Sequence, residues 1–320
     1  MKFAIIGIGA VGGYYGGLLA RSGQDVHFLL HSDYLHVKTN GLIVDSKDGD
    51  FVLPQVNAYS RAKDMPLCDV TIVSLKTTHN YLLEEILPLV VKKNGIVVML
   101  QNGLGIERDA AQIVPNAIVV GGLCFLCSNK VGPGHVKHLD YGVITLGEYA
   151  PDCKPAGITP SVQFLSHEFE HAGITVKQSA NLGEARWKKL VWNVPFNGLS
   201  VVLNATTEQL MDCQDTRRLA KDVMIEVITG AEKCGYPLGE GCADEMLRLT
   251  EQMTPYKPSM NLDYEAGRPL EIEKMYWRPI AQAESAGYIM HSVRTLASQL
   301  EYLDMSSRAR SSSEALTEAR

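Results

Sequence analysis

The sequence predicts an α/β fold: an N-terminal domain built on a parallel sheet, then a C-terminal domain that is all helix. Three observations carry this reading. The chain opens on an apolar run, Lys2–Ile6, that stops at a glycine. Up to residue 178, short apolar runs alternate with helical segments, the βαβ rhythm of a parallel sheet covered by helices. Beyond that point strand signals nearly vanish. The expected domains are therefore 1–178 and 179–320.

The first strand is followed by Gly7-Ile8-Gly9-Ala10-Val11-Gly12, a Gly-x-Gly-x-x-Gly turn that leads into helical sequence. Gly7 allows the tight turn, Gly9 admits a pyrophosphate close to the backbone, and Gly12 lets helix and strand pack closely. The helix N-terminus offers free N–H groups and a positive dipole end. In this strand–turn–helix context residues 7–12 read as a Rossmann-type dinucleotide site.

Further strands are expected at Asp25–Leu30, Val70–Ser74, Gly95–Met99 and Ile118–Leu123, with helices over Val11–Ser22, Asn80–Val91 and from Ile106. Val136–His138 and Gly142–Leu146 read as a hairpin turning at Asp140-Tyr141-Gly142, followed by a helix at Ser161–Ala172 and a strand at Ile174–Lys177. In the second half, helices are expected at Glu184–Asn204, Arg217–Cys234, Cys242–Gln252, Glu271–Ala286 and Ser292–Met305. The polar, Ser-rich stretch Asp304–Arg320 is expected to fray.

Composition narrows the function. A chain of 320 residues, 46% apolar and 21% charged, suits two globular domains. Its net charge of −6 provides no broad attraction for nucleic acid or an anionic membrane. No apolar run reaches the ~18 residues of a spanning helix. Lys2 and the apolar stretch after it resemble a signal peptide, but the glycines of that segment and its role as first strand argue against one. Seven scattered cysteines suit a reducing cytoplasm. Cys124 and Cys127 form a C-x-x-C within a strand-like run and are expected to be buried thiols rather than redox or zinc ligands. Nine histidines show no paired metal spacing, so no metal is expected.

An NAD site normally places an acid at the end of the second strand. Here that strand ends Phe28-Leu29-Leu30-His31-Ser32, and Asp33 is expected to cap a turn. Without the carboxylate a 2′-phosphate is not repelled. His31 and Ser32 are expected to donate hydrogen bonds to it and Lys38 to add charge, which favours NADP (NADPH) over NAD.

The chemistry concentrates in Trp187-Lys188-Lys189-Leu-Val-Trp-Asn193-Val-Pro195-Phe-Asn197. On a helix Lys189, Asn193 and Asn197 fall within about 80° of one face. Asn204 joins them if the helix stays regular, whereas Pro195 is expected to kink it. A solvent-facing polar stripe has the same periodicity.

With these residues the chain resembles the ketopantoate reductase family along nearly its whole length. The resemblance rests on the N-terminal glycine turn, Ser74-Leu75-Lys76, Gln101-Asn102-Gly103, Trp187-x-Lys189-Leu-x-x-x-Asn193-x-x-x-Asn197, Pro258-Ser259-Met260 and Glu271-Ile-Glu273. It implies NADPH-dependent reduction of 2-dehydropantoate to pantoate, a step toward pantothenate and coenzyme A, in a cleft between the domains. Lys189 would protonate the ketone oxygen and Glu271 would hold the substrate near it. Asn193, Asn197, Asn204 and Ser259 would bind its polar ends, and Asn102 would position it beside the nicotinamide. Lys76, Asn102 and Glu271 would also meet the cofactor. The chemistry agrees: an ammonium stabilises the charge that builds on a reduced carbonyl oxygen.

The chain departs from the family pattern at four places. His31 stands where members usually carry Arg, Gly198 replaces a Pro, Leu270 a Thr, and Tyr276-Trp277 an Asn-Gly pair. The two bulky residues are expected to narrow or reshape the pocket. Reduction of another branched 2-keto acid and non-catalytic dinucleotide binding are the alternatives. Homodimerisation is possible.

Overall fold

The structure is a computed structural model that describes residues 1–151, 154–253 and 256–318, with side chains to residue 309. The chain divides into two compact units, Met1–Ala185 and Arg186–Arg320.

The first unit contains β1 (Lys2–Ile6), α1 (Ala10–Arg21), β2 (Asp25–Leu29), α2 (Tyr34–Asn40), β3 (Leu42–Ser46), β4 (Phe51–Leu53), β5 (Asn57–Tyr59), β6 (Cys68–Val73), a 3₁₀ segment (Thr77–Leu82), α3 (Leu83–Val90), β7 (Val91–Met99), α4 (Ile106–Ile113), β8 (Ile118–Gly132), β9 (His135–Glu148), α5 (Pro160–His171) and β10 (Val176–Gln178). The strands form one sheet in the order β4-β3-β9-β8-β7-β6-β1-β2-β5, with β10 also on β9. β1 lies parallel between β2 and β6, so the chain reverses direction across the sheet at β1. Ligands of open α/β sheets bind at such a switch point, beyond the carboxyl ends of the strands.

Alternate residues of β1 feed two cores. Phe3 and Ile5 pack with Tyr15 and Leu19 of α1 and with Leu165 and Phe169 of α5. Ala4 and Ile6 pack with Leu83 and Leu87 of α3 and with Ile106 and Ala110 of α4. All four β1 residues are fully buried, as a central parallel strand requires.

The expected hairpin at Asp140–Gly142 is corrected. Residues 135–148 form one strand, β9, antiparallel to β8, and the tight turn lies at Gly132–His135, where Gly134 has φ +62°. Tyr141 (φ +61°) and Gly142 (φ +133°) mark a register shift within the strand. Turn-like residues thus make a bulge, because the runs on both sides pair with the same partner. The sequence reading also passes over α2 to β5, which are short and weakly periodic.

The second unit carries α6 (Leu182–Val202, which begins just before the division), α7 (Thr207–Asp212), α8 (Gln214–Lys233), α9 (Cys242–Glu251), α10 (Ser259–Glu265), a π-helical stretch (Glu273–Trp277), α11 (Arg278–Ser285) and α12 (His291–Glu318). α12 corrects the expectation of fraying after Asp304: the helix continues to Glu318, and the last two residues lie outside the described residues. Among the described residues no helix is long and apolar enough to cross a membrane. Their six cysteines are free thiols, and burial pushes Cys127 up to about 11.

Candidate functional site

In the first unit the turn after β1 is shaped by close approach on one side and open space on the other. Gly7 has φ +94°, and a β-carbon there would lie 2.8 Å from the backbone nitrogen of Leu75. A β-carbon on Gly12 would lie 2.1 Å from the carbonyl oxygen of Gly7 and 2.3 Å from Ser74 Oγ. Ser74 Oγ donates to that same Gly7 carbonyl at 2.6 Å, tying the end of β6 to the turn. A β-carbon on Gly9 would meet nothing within 4 Å. Gly9 is the extended N-cap of α1 and no side chain caps the helix. Gly7, Ile8, Gly9, Ala10 and Val11 are all half-buried. The result is a cradle that a side chain at Gly9 would fill, with a helix N-terminus facing it, and these residues fit a pyrophosphate.

At the end of β2, His31 and Ser32 are exposed. Asp33 is buried and does not cap α2. Its carboxylate accepts from Gly134 N–H at 2.9 Å and pairs with Lys130 Nζ at 2.7 Å. Burial pushes its pKa up, but Lys130, Gly134 and Ser32 outweigh that and hold it below the usual carboxylate range. Lys38 is exposed and donates to Tyr34 Oη at 3.0 Å.

Lys76 and Asn102 are half-buried in the loops after β6 and β7. These two loops are bridged by Gln101, whose Nε2 donates to Leu75 O (2.8 Å) and Asn80 Oδ1 (2.6 Å). Gln101 had no role in the sequence reading. Its place in the Gln-Asn-Gly motif was the available signal.

In the second unit α6 keeps Asn193 and Asn197 buried at 6% and 3% exposure, with Lys189 half-buried four residues earlier. This is not the polar stripe of a surface helix. Asn197 Nδ2 donates to Asn193 O at 3.0 Å and its Oδ1 accepts from Met260 N–H at 3.3 Å. That second bond ties Ser259-Met260, the start of α10, to α6. Ser200 Oγ donates to Asn197 O, and Asn261 Nδ2 donates to Ser200 O, so Ser200 and Asn261 extend the network. Glu271 is buried, and its carbonyl accepts from Met275 N–H at 3.3 Å where the next helical segment begins.

Asn204 stands apart. α6 ends at Val202, and Asn204 is exposed with φ +49°, the left-handed conformation that closes a helix. It is not brought to Asn193 and Asn197. Tyr276 is fully buried and Trp277 Nε1 donates to Glu301 at 2.8 Å, so both serve helix packing.

The chain is similar to known proteins over both units. The family model for ketopantoate reductase PanE/ApbA matches residues 3–151, and that for its C-terminal part matches residues 181–303. A 2-dehydropantoate 2-reductase from Nostoc sp. is 52% identical over 95% of this chain and 95% of its own. The crystal structure of a 2-dehydropantoate 2-reductase from Geobacter metallireducens superposes with a TM-score of 0.89 at 41% identity, covering 94% of this chain and 99% of its own. A D-mandelate dehydrogenase solved with NADH and anilino(oxo)acetate shares the fold, with a TM-score of 0.86 at 20% identity over 96% of this chain and 99% of its own. The glycine turn, the buried asparagine helix and these similarities together show that the chain belongs to the ketopantoate reductase family.

Proposed function

We propose that this protein reduces 2-dehydropantoate to pantoate with NADPH, a step toward pantothenate and coenzyme A. The observation that carries the reading is the burial of Asn193 and Asn197 in register with Lys189 on α6. Buried amides bind a carboxylate and hydroxyls without adding charge. The name shared by the 52% and 41% identical relatives supports the substrate.

The dinucleotide supplies the hydride when bound, held by Gly7 to Gly12 with Lys76 and Asn102 nearby. The chain does the rest. The ammonium of Lys189 stabilises the negative charge on the carbonyl oxygen and delivers a proton to it. Glu271 holds the substrate beside that amine. Asn193, Asn197 and Ser259 orient the polar ends. Residues 1–178 serve the dinucleotide and 179–320 the substrate.

The NADP preference is supported by the engagement of Asp33 with Lys130 and Gly134 N–H, which leaves His31 and Ser32 as the exposed groups at the end of β2. The test is loss of reduced-nicotinamide absorbance on adding 2-dehydropantoate, with NADPH and NADH side by side. Turnover favouring NADPH is expected. No substrate-dependent oxidation overturns the reaction, and equal or NADH-favoured efficiency overturns the cofactor preference.

A further inference from the structure

The structure brings Tyr276 and Gly198 together. A β-carbon on Gly198 would lie 2.8 Å from Tyr276 Oη and 2.5 Å from Leu296 Cδ2. The hydroxyl and the Leu296 side chain therefore share the space that glycine leaves. From there the hydroxyl donates to the carbonyl of Val194 at 2.9 Å and lies 4.0 Å from the sulfur of Met260. Val194 sits between Asn193 and Pro195, where proline cannot donate the helical bond to Val191. Tyr276 is fully buried, and burial pushes its hydroxyl pKa far above the ordinary value, so it stays a neutral donor.

Three elements meet at this oxygen. α6 carries Asn193 and Asn197, α10 begins with Ser259-Met260, and the segment holding Tyr276 begins at Glu271. The π-helical stretch Glu273–Trp277 sets Tyr276 five residues beyond Glu271. Such single π turns are often found at functional sites.

The geometry points to Tyr276 as a positioning residue for the 2-keto acid. Its hydroxyl, seated against Gly198, pins α6 at the proline so that Asn193 and Asn197 keep their spacing from Ser259 and Glu271. This rests on the reductase reading above. Tyr276 touches no reacting atom and acts through the α6 backbone.

The experiment is steady-state kinetics of Tyr276→Phe, with thermal melts. Phe keeps the ring and removes only the hydroxyl. For Tyr276→Phe, KM for the 2-keto acid should rise about tenfold while kcat and the dinucleotide KM stay within about twofold. Any other pattern overturns the proposal, including an unchanged substrate KM or a rise in both Michaelis constants alongside a lowered melting temperature. Failure of the unaltered protein to reduce any 2-keto acid overturns the reaction and the positioning role together. Turnover by the unaltered protein without a selective effect in Tyr276→Phe overturns the positioning role alone.

Discussion

Lys130, on β8, holds the carboxylate of Asp33 at 2.7 Å, and this pairing sets the charge presented at the end of β2. Lys130 is exposed but Asp33 is buried, so removing the lysine leaves a buried carboxylate without its countercharge. Lys130→Met should weaken NADPH binding about tenfold relative to NADH, because an unpaired anion repels a 2′-phosphate. Asp33→Asn should not. Fluorescence titrations with each dinucleotide check this, and an unaltered NADPH/NADH ratio in Lys130→Met refutes it.

Gly9 and Gly12 should fail differently. The β-carbon of Gly9→Ala meets nothing within 4 Å, so its melting temperature should match the unaltered protein while dinucleotide affinity falls at least about tenfold. Gly12→Ala drives a methyl group into the Gly7 carbonyl and Ser74, and should lower the melting temperature by several degrees. Melts and titrations of both variants separate these outcomes. Equal destabilisation would remove the case that the open face at Gly9 is a ligand cradle.

Lys189→Ala should lower kcat by about 10²-fold or more while dinucleotide binding persists, as expected of lost acid catalysis. Glu271→Gln should chiefly raise KM for the 2-keto acid. Wild-type turnover in the first, or an unchanged KM in the second, would require other residues in those roles.

Acid should destabilise the first unit in a defined window. Asp33, Asp69 and Asp140 all titrate below the ordinary carboxylate value. At Asp33 burial acts upward but is outweighed, chiefly by Lys130. Asp69 is held by Lys92 and then by Lys2 N–H, and Asp140 by Lys47 and then by Tyr141 N–H. A depressed folded pKa stabilises the fold above the unfolded value of about 3.9, and that contribution disappears as pH falls through the folded pKa. Melting temperature should therefore drop below about pH 4, and less steeply in Asp69→Asn. Identical acid slopes in the two proteins would contradict this linkage.

Much of the molecule was legible in the residues alone. The apolar run of β1, the glycine turn and the i, i+4, i+8 spacing of Lys189, Asn193 and Asn197 are local signals, because a buried strand and a helical face each impose their period on the chain. Other features arise only when distant segments meet. The bulge at Tyr141 depends on β8 lying alongside, and Asp33 finds Lys130 and Gly134 about a hundred residues away. Gly198 gains its meaning from Leu296 and Tyr276, and Asn204 loses its place on the α6 face because the helix ends at Val202. Periodicity reports which way a side chain points. Which partner waits there is settled by packing, where every buried polar group must find a donor or acceptor wherever in the chain it lies.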